Sequence, residues 1–140
     1  MNFLLDTNIV SEWAKPRPNV GVVRWLAEAD EDRTFLSVIT LGELEYGVER
    51  LAAGAKRKRL EEWVGTELKE RFAGRVVVID EEIASAWGRL LAKAESLGRP
   101  MGTMDGFLGA TAQVKGMTLV TRDERGFQGS GVETFNPWSR

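Results

Sequence analysis

The segment NFLLDTNIV (residues 2–10) is the clearest indication of the fold, because an apolar run leads directly into an acid and then into a helix cap. We read Asn2–Leu5 as a short buried strand that ends at Asp6. Thr7 or Asn8 can cap a helix that runs to about Ala14. A strand followed at once by a helix is typical of a βαβ unit, so this segment predicts an α/β domain built on a parallel sheet.

The same alternation of strand and helix continues along the rest of the chain. Further apolar or β-branched runs predict strands at Thr34–Ser37, Arg75–Ile79, Thr118–Val120 and Val132–Phe135. Helical spacing predicts five further helices. The first is capped by Asn19, and the second runs from Val38 to about Ala53 and is ended by Gly54. The others cover residues 55–73, the segment that begins at Asp80 and is stopped at Gly98, and Met104–Lys115. We therefore predict a single domain over residues 1–140, with a mainly parallel sheet of about 4–5 strands and helices on both faces.

The sequence contains no histidine and no cysteine, which narrows the chemistry available to it. Disulfides, zinc fingers, iron–sulfur clusters, thiol nucleophiles and Ser-His-Asp triads are all excluded. Catalysis would depend on carboxylates, hydroxyls, amides, lysine and arginine. Because the metal ligands would be oxygens only, the composition favours Mg²⁺ or Mn²⁺ over softer ions.

Composition and hydropathy indicate a globular protein away from membranes. Of the 140 residues, 43% are apolar and 29% are charged, which is the usual range for globular domains. The longest aliphatic run, Val76–Ile79, is far shorter than the roughly 20 residues of a membrane span. The first residues lack the basic and apolar regions of a secretory signal, so we expect a cytoplasmic location.

Three acids fall where a parallel sheet would gather them. Asp6 follows the first predicted strand, Asp123 follows Thr118–Val120, and Asp105 lies in the first turn of a predicted helix. The carboxyl ends of parallel strands form one edge of the sheet, and sites in open α/β sheets lie there. Each acid alone could be a helix cap or a turn residue. Carboxylates brought together, however, raise each other's pKa unless a cation binds them, so the three acids predict a metal site.

A fourth acid is not singled out by helical spacing. In the helix that begins at Val38, Glu43 lies off one edge of the apolar face, and Glu45 and Glu49 lie off the opposite edge. The solvated face of a helix accounts for at least two of these three acids. Spacing therefore leaves the choice among them open.

Four blocks of sequence resemble the PIN-domain ribonucleases, in the same order and at the same spacing. They are FLLDTNIVSEW (3–13), SVITLGELEYGVERL (37–51), PMGTMDGFLGATA (100–112) and TLVTRDERGF (118–127). The resemblance is strongest to the VapC toxins of toxin–antitoxin modules, in particular the FitB-like group, which the ending ETFNPW (133–138) also resembles. It spans nearly the whole chain and implies a single PIN-like domain.

The resemblance also implies the site residues. The acidic quartet of the family falls on Asp6, Glu43, Asp105 and Asp123, and its small polar site residues fall on Thr7, Asn8 and Thr121. One position departs from the family. Many relatives have an asparagine at the position of Asp123 and an aspartate shortly after it, where this chain has Gly126. Asp123 would therefore supply the fourth acid alone.

A site of this kind implies a metal-dependent endoribonuclease. Asp6 and Asp105 would hold Mg²⁺ or Mn²⁺, while Glu43 and Asp123 would bind directly, through water, or to a second ion. The metal polarises the scissile phosphate and acidifies the water that attacks it, so that neither a 2′-hydroxyl nor a histidine is required. The expected products carry a 3′-hydroxyl and a 5′-phosphate.

The charge of the chain bears on RNA binding. The net charge of −2 is unusual for a nucleic-acid-binding protein, but without the four site acids bases outnumber acids by two. Arg99, Arg122 and Arg125 are the nearest candidates for contacting RNA. We read the run Lys56–Arg59 as a solvated helix face, with a phosphate-binding or partner-binding patch as the alternative. Most of the tryptophans are expected in the core or in a subunit interface.

Toxins of this family usually form homodimers and are inhibited by a small antitoxin, whose tail covers the acidic site and whose other end often binds DNA. We therefore expect RNA as substrate, a cognate antitoxin and a second copy as partners, and DNA only through the antitoxin. An Asp6-nucleophile phosphotransferase is disfavoured, because Asn8 stands where such enzymes have a second aspartate. A catalytically inactive PIN-like scaffold is disfavoured because all four acids are present.

Overall fold

A sheet of short strands runs through the computed structural model, which describes residues 1–139. The strands of this part of the chain are β1 (Phe3–Leu5), β2 (Thr34–Ser37), β3 (Val76–Val77), β4 (Thr118–Val120) and β5 (Thr134–Phe135). Their order across the sheet is β3-β2-β1-β4-β5, and each neighbouring pair is parallel. The predicted parallel α/β fold is confirmed.

Helices connect the strands and cover the sheet. They are α1 (Thr7–Trp13), α2 (Val20–Glu28), α3 (Val38–Glu49), α4 (Ala55–Glu62), α5 (Leu68–Arg71), α6 (Glu81–Ser96) and α7 (Thr103–Lys115). A π-helical turn at Trp63–Glu67 joins α4 to α5, so the helix predicted over 55–73 is present but interrupted. Short 3₁₀ turns that the sequence did not predict lie at Glu31–Arg33, Arg125–Phe127 and Pro137–Ser139.

The two faces of the sheet form two hydrophobic cores. Leu4 and Leu119 point into the core beneath α6 and α7, whereas Leu5 and Val120 point into the core beneath α1, α2 and α3. This follows from the strand period of two, which sends successive side chains to opposite faces. Each of the tryptophans is partly buried against one of these cores, as expected: Trp87 against the first, and Trp13, Trp25, Trp63 and Trp138 against the second.

Polar side chains cap the beginnings of α1, α2 and α6. The cap of α1 is Asp6 and not Thr7 or Asn8, because Asp6 keeps an extended backbone and its side chain accepts a hydrogen bond from the Thr7 amide. The predicted cap Asn19 of α2 is confirmed, and Asp80, at which a helix was predicted to begin, caps α6. Each side chain accepts from the amide three residues on.

The end of α3 differs from the prediction. The helix stops at Glu49 instead of about Ala53, and Gly54 precedes α4 instead of ending α3. The Leu51 amide bonds the Val48 carbonyl in a tightened last turn, and the Arg57 guanidinium donates to the Leu51 carbonyl at 3.2 Å. The Leu51 carbonyl thus accepts from a side chain of the next helix instead of from the backbone amide of a further helical turn.

The outer strands are shorter than predicted. Of Arg75–Ile79 only Val76 and Val77 pair, because their partner β2 ends at Ser37, which caps α3. Likewise β5 comprises Thr134–Phe135 rather than Val132–Phe135, at the edge that the prediction allowed. No helix in residues 1–139 is long and apolar enough to cross a bilayer.

Candidate active site

The order of the strands reverses between β1 and β4, and a cavity opens at the carboxyl ends of these two strands. It has a volume of about 420 Å³. All four acids that the family resemblance selected line it. The lining residues are Asp6, Thr7, Asn8, Ser11, Glu12, Lys15, Glu43, Asp105, Arg122, Asp123 and Trp138.

Asp6 lies at the base of this cavity and is fixed through both carboxylate oxygens. It is 6% exposed. Its Oδ1 accepts from the Thr7 amide at 2.6 Å, and its Oδ2 accepts from the Thr121 hydroxyl at 2.7 Å and from the Asn8 amide group at 3.4 Å. The three small polar residues that the resemblance selected therefore all hold Asp6.

Glu43 reaches the cavity from the middle of α3. The Thr7 hydroxyl donates to its Oε1 at 2.6 Å and so links α1 to α3. The two alternatives point elsewhere, since Glu45 pairs with Lys69 at 3.7 Å and Glu49 pairs with Arg57 at 2.9 Å. Geometry thus separates the three glutamates that helical spacing left open.

Asp123 is held by the loop that follows β4. Its amide donates to the Thr121 hydroxyl at 3.0 Å, and its Oδ1 accepts from the Gly126 amide at 3.2 Å. A Cβ on residue 126 would lie 2.8 Å from Asp123 Oδ2. The glycine that departs from the family pattern therefore leaves room for Asp123 to fold back in this way.

The charges of these acids act on one another. Burial raises the pKa of Asp6, hydrogen bonds from Thr121 and Thr7 oppose the rise, and the charges of Glu43 and Asp123 add to it. Burial also raises the pKa of Asp105, half-buried in the first turn of α7, and so do the charges of Asp6 and Asp123. These are groups whose charged forms a bound cation would stabilise.

The donor set suits a hard divalent ion. It consists of carboxylate, hydroxyl and amide oxygens, and the sequence has no cysteine or histidine that would favour a softer metal. Within residues 1–139, no three acidic side chains already form a metal cage. An ion held by one or two carboxylates, with water completing its shell, is the usual arrangement for Mg²⁺ and fits these residues.

The basic residues divide into those at the cavity and those away from it. Arg122 lines the cavity, its guanidinium carbon 5.5 Å from the centre of the Trp138 ring. Arg99 instead donates to Gln128 at 3.2 Å and lies outside the lining. Arg125 begins a 3₁₀ turn and is likewise outside the lining. In the basic run, Arg57 pairs with Glu49 and Glu61, which supports a structural reading of that residue.

Sequence reasoning missed Ser11, Glu12, Lys15 and Trp138 as lining residues. Glu12 is 5% exposed, which is unusual for an acid. Its position carried a signal: Glu12 follows Asn8 by four residues on α1, and residues four apart share one face of a helix.

A parallel sheet with four acids at its switch point defines an α/β domain with an acidic, oxygen-only site. Residues 3–129 match the PIN domain family, and the chain belongs to it. Toxin FitB of Neisseria gonorrhoeae is 38% identical over 135 residues, which cover 96% of this chain and 97% of that protein. The VapC ribonuclease Y4jK of Sinorhizobium fredii is 33% identical and covers 96% of each chain. The solved structure of FitAB bound to an IR36 DNA fragment matches with a TM-score of 0.92 at 38% identity, covering 97% of this chain and 95% of that one.

Proposed function

We propose that this protein is a divalent-metal-dependent endoribonuclease and the toxin of a toxin–antitoxin pair. The observation that carries the proposal is the convergence of Asp6, Glu43, Asp105 and Asp123 on one cavity at the switch point of the sheet. Support comes from relatives named Toxin FitB and VapC ribonuclease, which match along 96% of the chain.

The residues of the cavity would share the work as follows. Asp6 and Asp105 would hold Mg²⁺ or Mn²⁺, which when bound would polarise a phosphate and acidify a water. Thr121 and the Thr7 amide fix the direction of the Asp6 carboxylate, so that little reorganisation accompanies binding. Glu43 and Asp123 would bind this ion directly, through water, or would bind a second ion.

Two groups without negative charge would assist the acids: the Thr7 hydroxyl would orient Glu43, and Arg122 would contact the substrate. The Thr7 hydroxyl donates to Glu43 and keeps that carboxylate turned into the cavity. Arg122, on the rim beside Trp138, offsets the charge of an RNA phosphate near the acids. Attack by water in line with the P–O3′ bond, with the 3′ oxygen as the leaving group, would leave a 3′-hydroxyl and a 5′-phosphate, and no histidine pair is needed.

The proposal extends to partners. The FitAB structure holds DNA, and its similarity to this chain supports a cognate antitoxin here, through which DNA would be bound. The antitoxin's tail would cover the acidic cavity. We also propose a homodimer as the active form.

Cleavage of a structured RNA by the purified protein tests the activity. Wild type is compared with Asp6→Asn, Asp105→Asn and Glu95→Gln, with EDTA or with added Mg²⁺ or Mn²⁺. Glu95 is an exposed acid of α6 outside the cavity lining and controls for the loss of one charge. We expect metal-dependent cuts with 5′-phosphate ends from wild type and Glu95→Gln.

Both aspartate variants should lose this activity while circular dichroism shows an intact fold. Equal trace cleavage by all four proteins would contradict the proposal. The inactive scaffold would then be the better interpretation, and Asp6 and Asp105 would be no more than a helix cap and a first-turn acid.

A further inference from the structure

Glu12 and Lys15 form an ion pair in the wall of the acidic cavity that the proposed mechanism does not use. Lys15 Nζ lies 2.8 Å from Glu12 Oε2, and both residues line the cavity. In the described part of the chain, Lys15 and Arg122 are the cations of this lining, against five acids. The pair therefore bears on how a polyanion could approach.

Glu12 is held at both carboxylate oxygens and fixes the position of Lys15. Its side chain is 6% exposed, and its other oxygen, Oε1, accepts from the Asn19 amide at 2.9 Å, which ties α1 to the start of α2. Burial acts to raise the pKa of Glu12, but hydrogen bonds from Lys15 and the Asn19 amide, with the charges of Lys15 and Arg122, outweigh it and lower that pKa. The carboxylate is therefore ionised at neutral pH and holds the ammonium group.

Lys15 remains open to a further ligand. Its side chain is 54% exposed, and an ammonium group has three donors, of which Glu12 takes one. Arg122, the other cation of the lining, also lowers the pKa of Glu12 through its charge. The result is a positive rim beside acids that would otherwise repel a phosphate chain.

We propose that Lys15 is a substrate-positioning residue that binds a backbone phosphate of the RNA next to the one that is cleaved. The inference rests on the proposed ribonuclease function and adds a residue to it. Glu12 holds the ammonium in place before RNA arrives, so that less side-chain freedom is lost on binding. Arg122 contacts the same stretch of backbone from its place beside Trp138.

Steady-state cleavage of a structured RNA, measured over a series of salt concentrations, tests this role. We expect Lys15→Met to raise KM about tenfold with little change in kcat, because the contact stabilises the bound substrate and the transition state equally. The slope of log KM against log salt should shrink by roughly 0.7–0.9, the contribution of one phosphate contact. Lys15→Arg should restore most of the affinity.

Two further variants make the result specific. Lys115→Met removes a lysine at the opposite end of α7, ten residues or about 15 Å beyond Asp105, and should behave as wild type. Glu12→Gln combined with Lys15→Met removes both charges, so that no buried carboxylate is left unpaired if the single variant folds poorly. It should show the same rise in KM.

The outcomes separate this inference from the function on which it rests. If wild type cleaves RNA and Lys15→Met has the same KM and salt slope, Lys15 only closes the turn after α1 and the inference is wrong. Equal loss in Lys15→Met and Lys15→Arg would assign the loss to a damaged turn and would also overturn it. If wild type itself cleaves no RNA with Mg²⁺ or Mn²⁺, the proposed function fails and this inference fails with it.

Discussion

At the scale of single residues, Asp6 is where burial, hydrogen bonding and charge meet. Its position after a buried strand made it predictable from the sequence, because an acid that follows Leu4 and Leu5 must lie at the carboxyl edge of the sheet. Glu43 was not predictable in this way. Glu43, and not Glu45 or Glu49, faces the cavity, where it accepts a hydrogen bond from the Thr7 hydroxyl of another helix. Helical spacing within α3 carries no information about that contact.

The raised pKa of Asp6 predicts a pH dependence of stability in the metal-free protein. The folded state binds the proton more tightly than the unfolded state, so the free energy of unfolding falls as the pH rises from near 3.8 through the raised pKa values of Asp6 and Asp105. Asp6→Asn removes the contribution of Asp6, and asparagine still caps a helix. In EDTA at pH 8 we expect this variant to melt a few degrees above wild type, and the difference to shrink towards pH 4. A melting temperature below that of wild type at pH 8 would contradict the argument.

Gly126 predicts a separation of activity from stability. A Cβ at this position would push the Asp123 carboxylate, which is the end of a flexible side chain on an exposed loop. We expect Gly126→Ala to change the free energy of unfolding by less than about 0.5 kcal/mol. Displacement of Asp123 should lower RNA cleavage by up to about 100-fold. Glu124→Ala, a neighbouring exposed residue outside the cavity lining, is the control, and equal activity of the two variants would show that the Asp123 contact is unimportant.

At the scale of elements, α6 and α7 together position Asp105. A Cβ on Gly106 would lie 2.8 Å from Leu91 Cδ2 and 3.0 Å from the Trp87 ring, so the glycine next to Asp105 allows the two helices to pack this closely. The Trp87 ring also stacks on Phe107, with ring centres 4.7 Å apart, and its Nε1 donates to the Thr103 carbonyl at 3.2 Å. The start of α7, around the site acid, is therefore held against α6 by contacts at Thr103, Gly106 and Phe107.

Two alanine substitutions test this packing. Gly106→Ala should destabilise the protein by about 1–3 kcal/mol, because overpacking exceeds the gain in helix propensity. Gly88→Ala, on α6, has open space around its Cβ and should stabilise by up to about 1 kcal/mol. Urea unfolding of both variants measures the difference. Equal stability of the two would mean that the contact between α6 and α7 at Gly106 is looser than described.

The elements were predicted best where local sequence and tertiary partners agree. Thr34–Ser37 and Thr118–Val120 are strands with the predicted bounds, since both lie inside the sheet and pair with a strand on each side. Arg75–Ile79 has the strongest β propensity, but its pairing is limited by the length of β2. The end of α3 depends on Arg57, eight residues after the last helical residue, which no helical pattern can indicate.

At the scale of the whole molecule, the parallel sheet followed from the alternation of strands and helices, but the order of its strands did not. Nothing in the five short apolar runs says that β1 lies between β2 and β4. That order creates the switch point, because the chain leaves β1 towards one side of the sheet and returns to β4 on the other. Asp6 and Asp123, which are 117 positions apart in the sequence, thereby line the same cavity.

The proposed role as a toxin predicts an effect on growing cells. Induced expression of the wild-type chain in Escherichia coli without an antitoxin should arrest growth, and Asp6→Asn at the same protein level should not. Colony counts after induction, with immunoblots to match expression, measure this. Normal growth with the wild-type protein, or equal arrest by both proteins, would show that the acidic cavity does not confer toxicity.

The most direct test of the central claim is whether this cavity binds a divalent ion. Electron paramagnetic resonance of free Mn²⁺, titrated into the metal-free protein, measures binding without any RNA. We predict saturable binding by wild type and by Glu95→Gln, and its loss in Asp6→Asn and Asp105→Asn, with all four proteins folded. Equal Mn²⁺ binding by wild type and Asp6→Asn, or none by either, would contradict the assignment of the metal to this edge of the sheet.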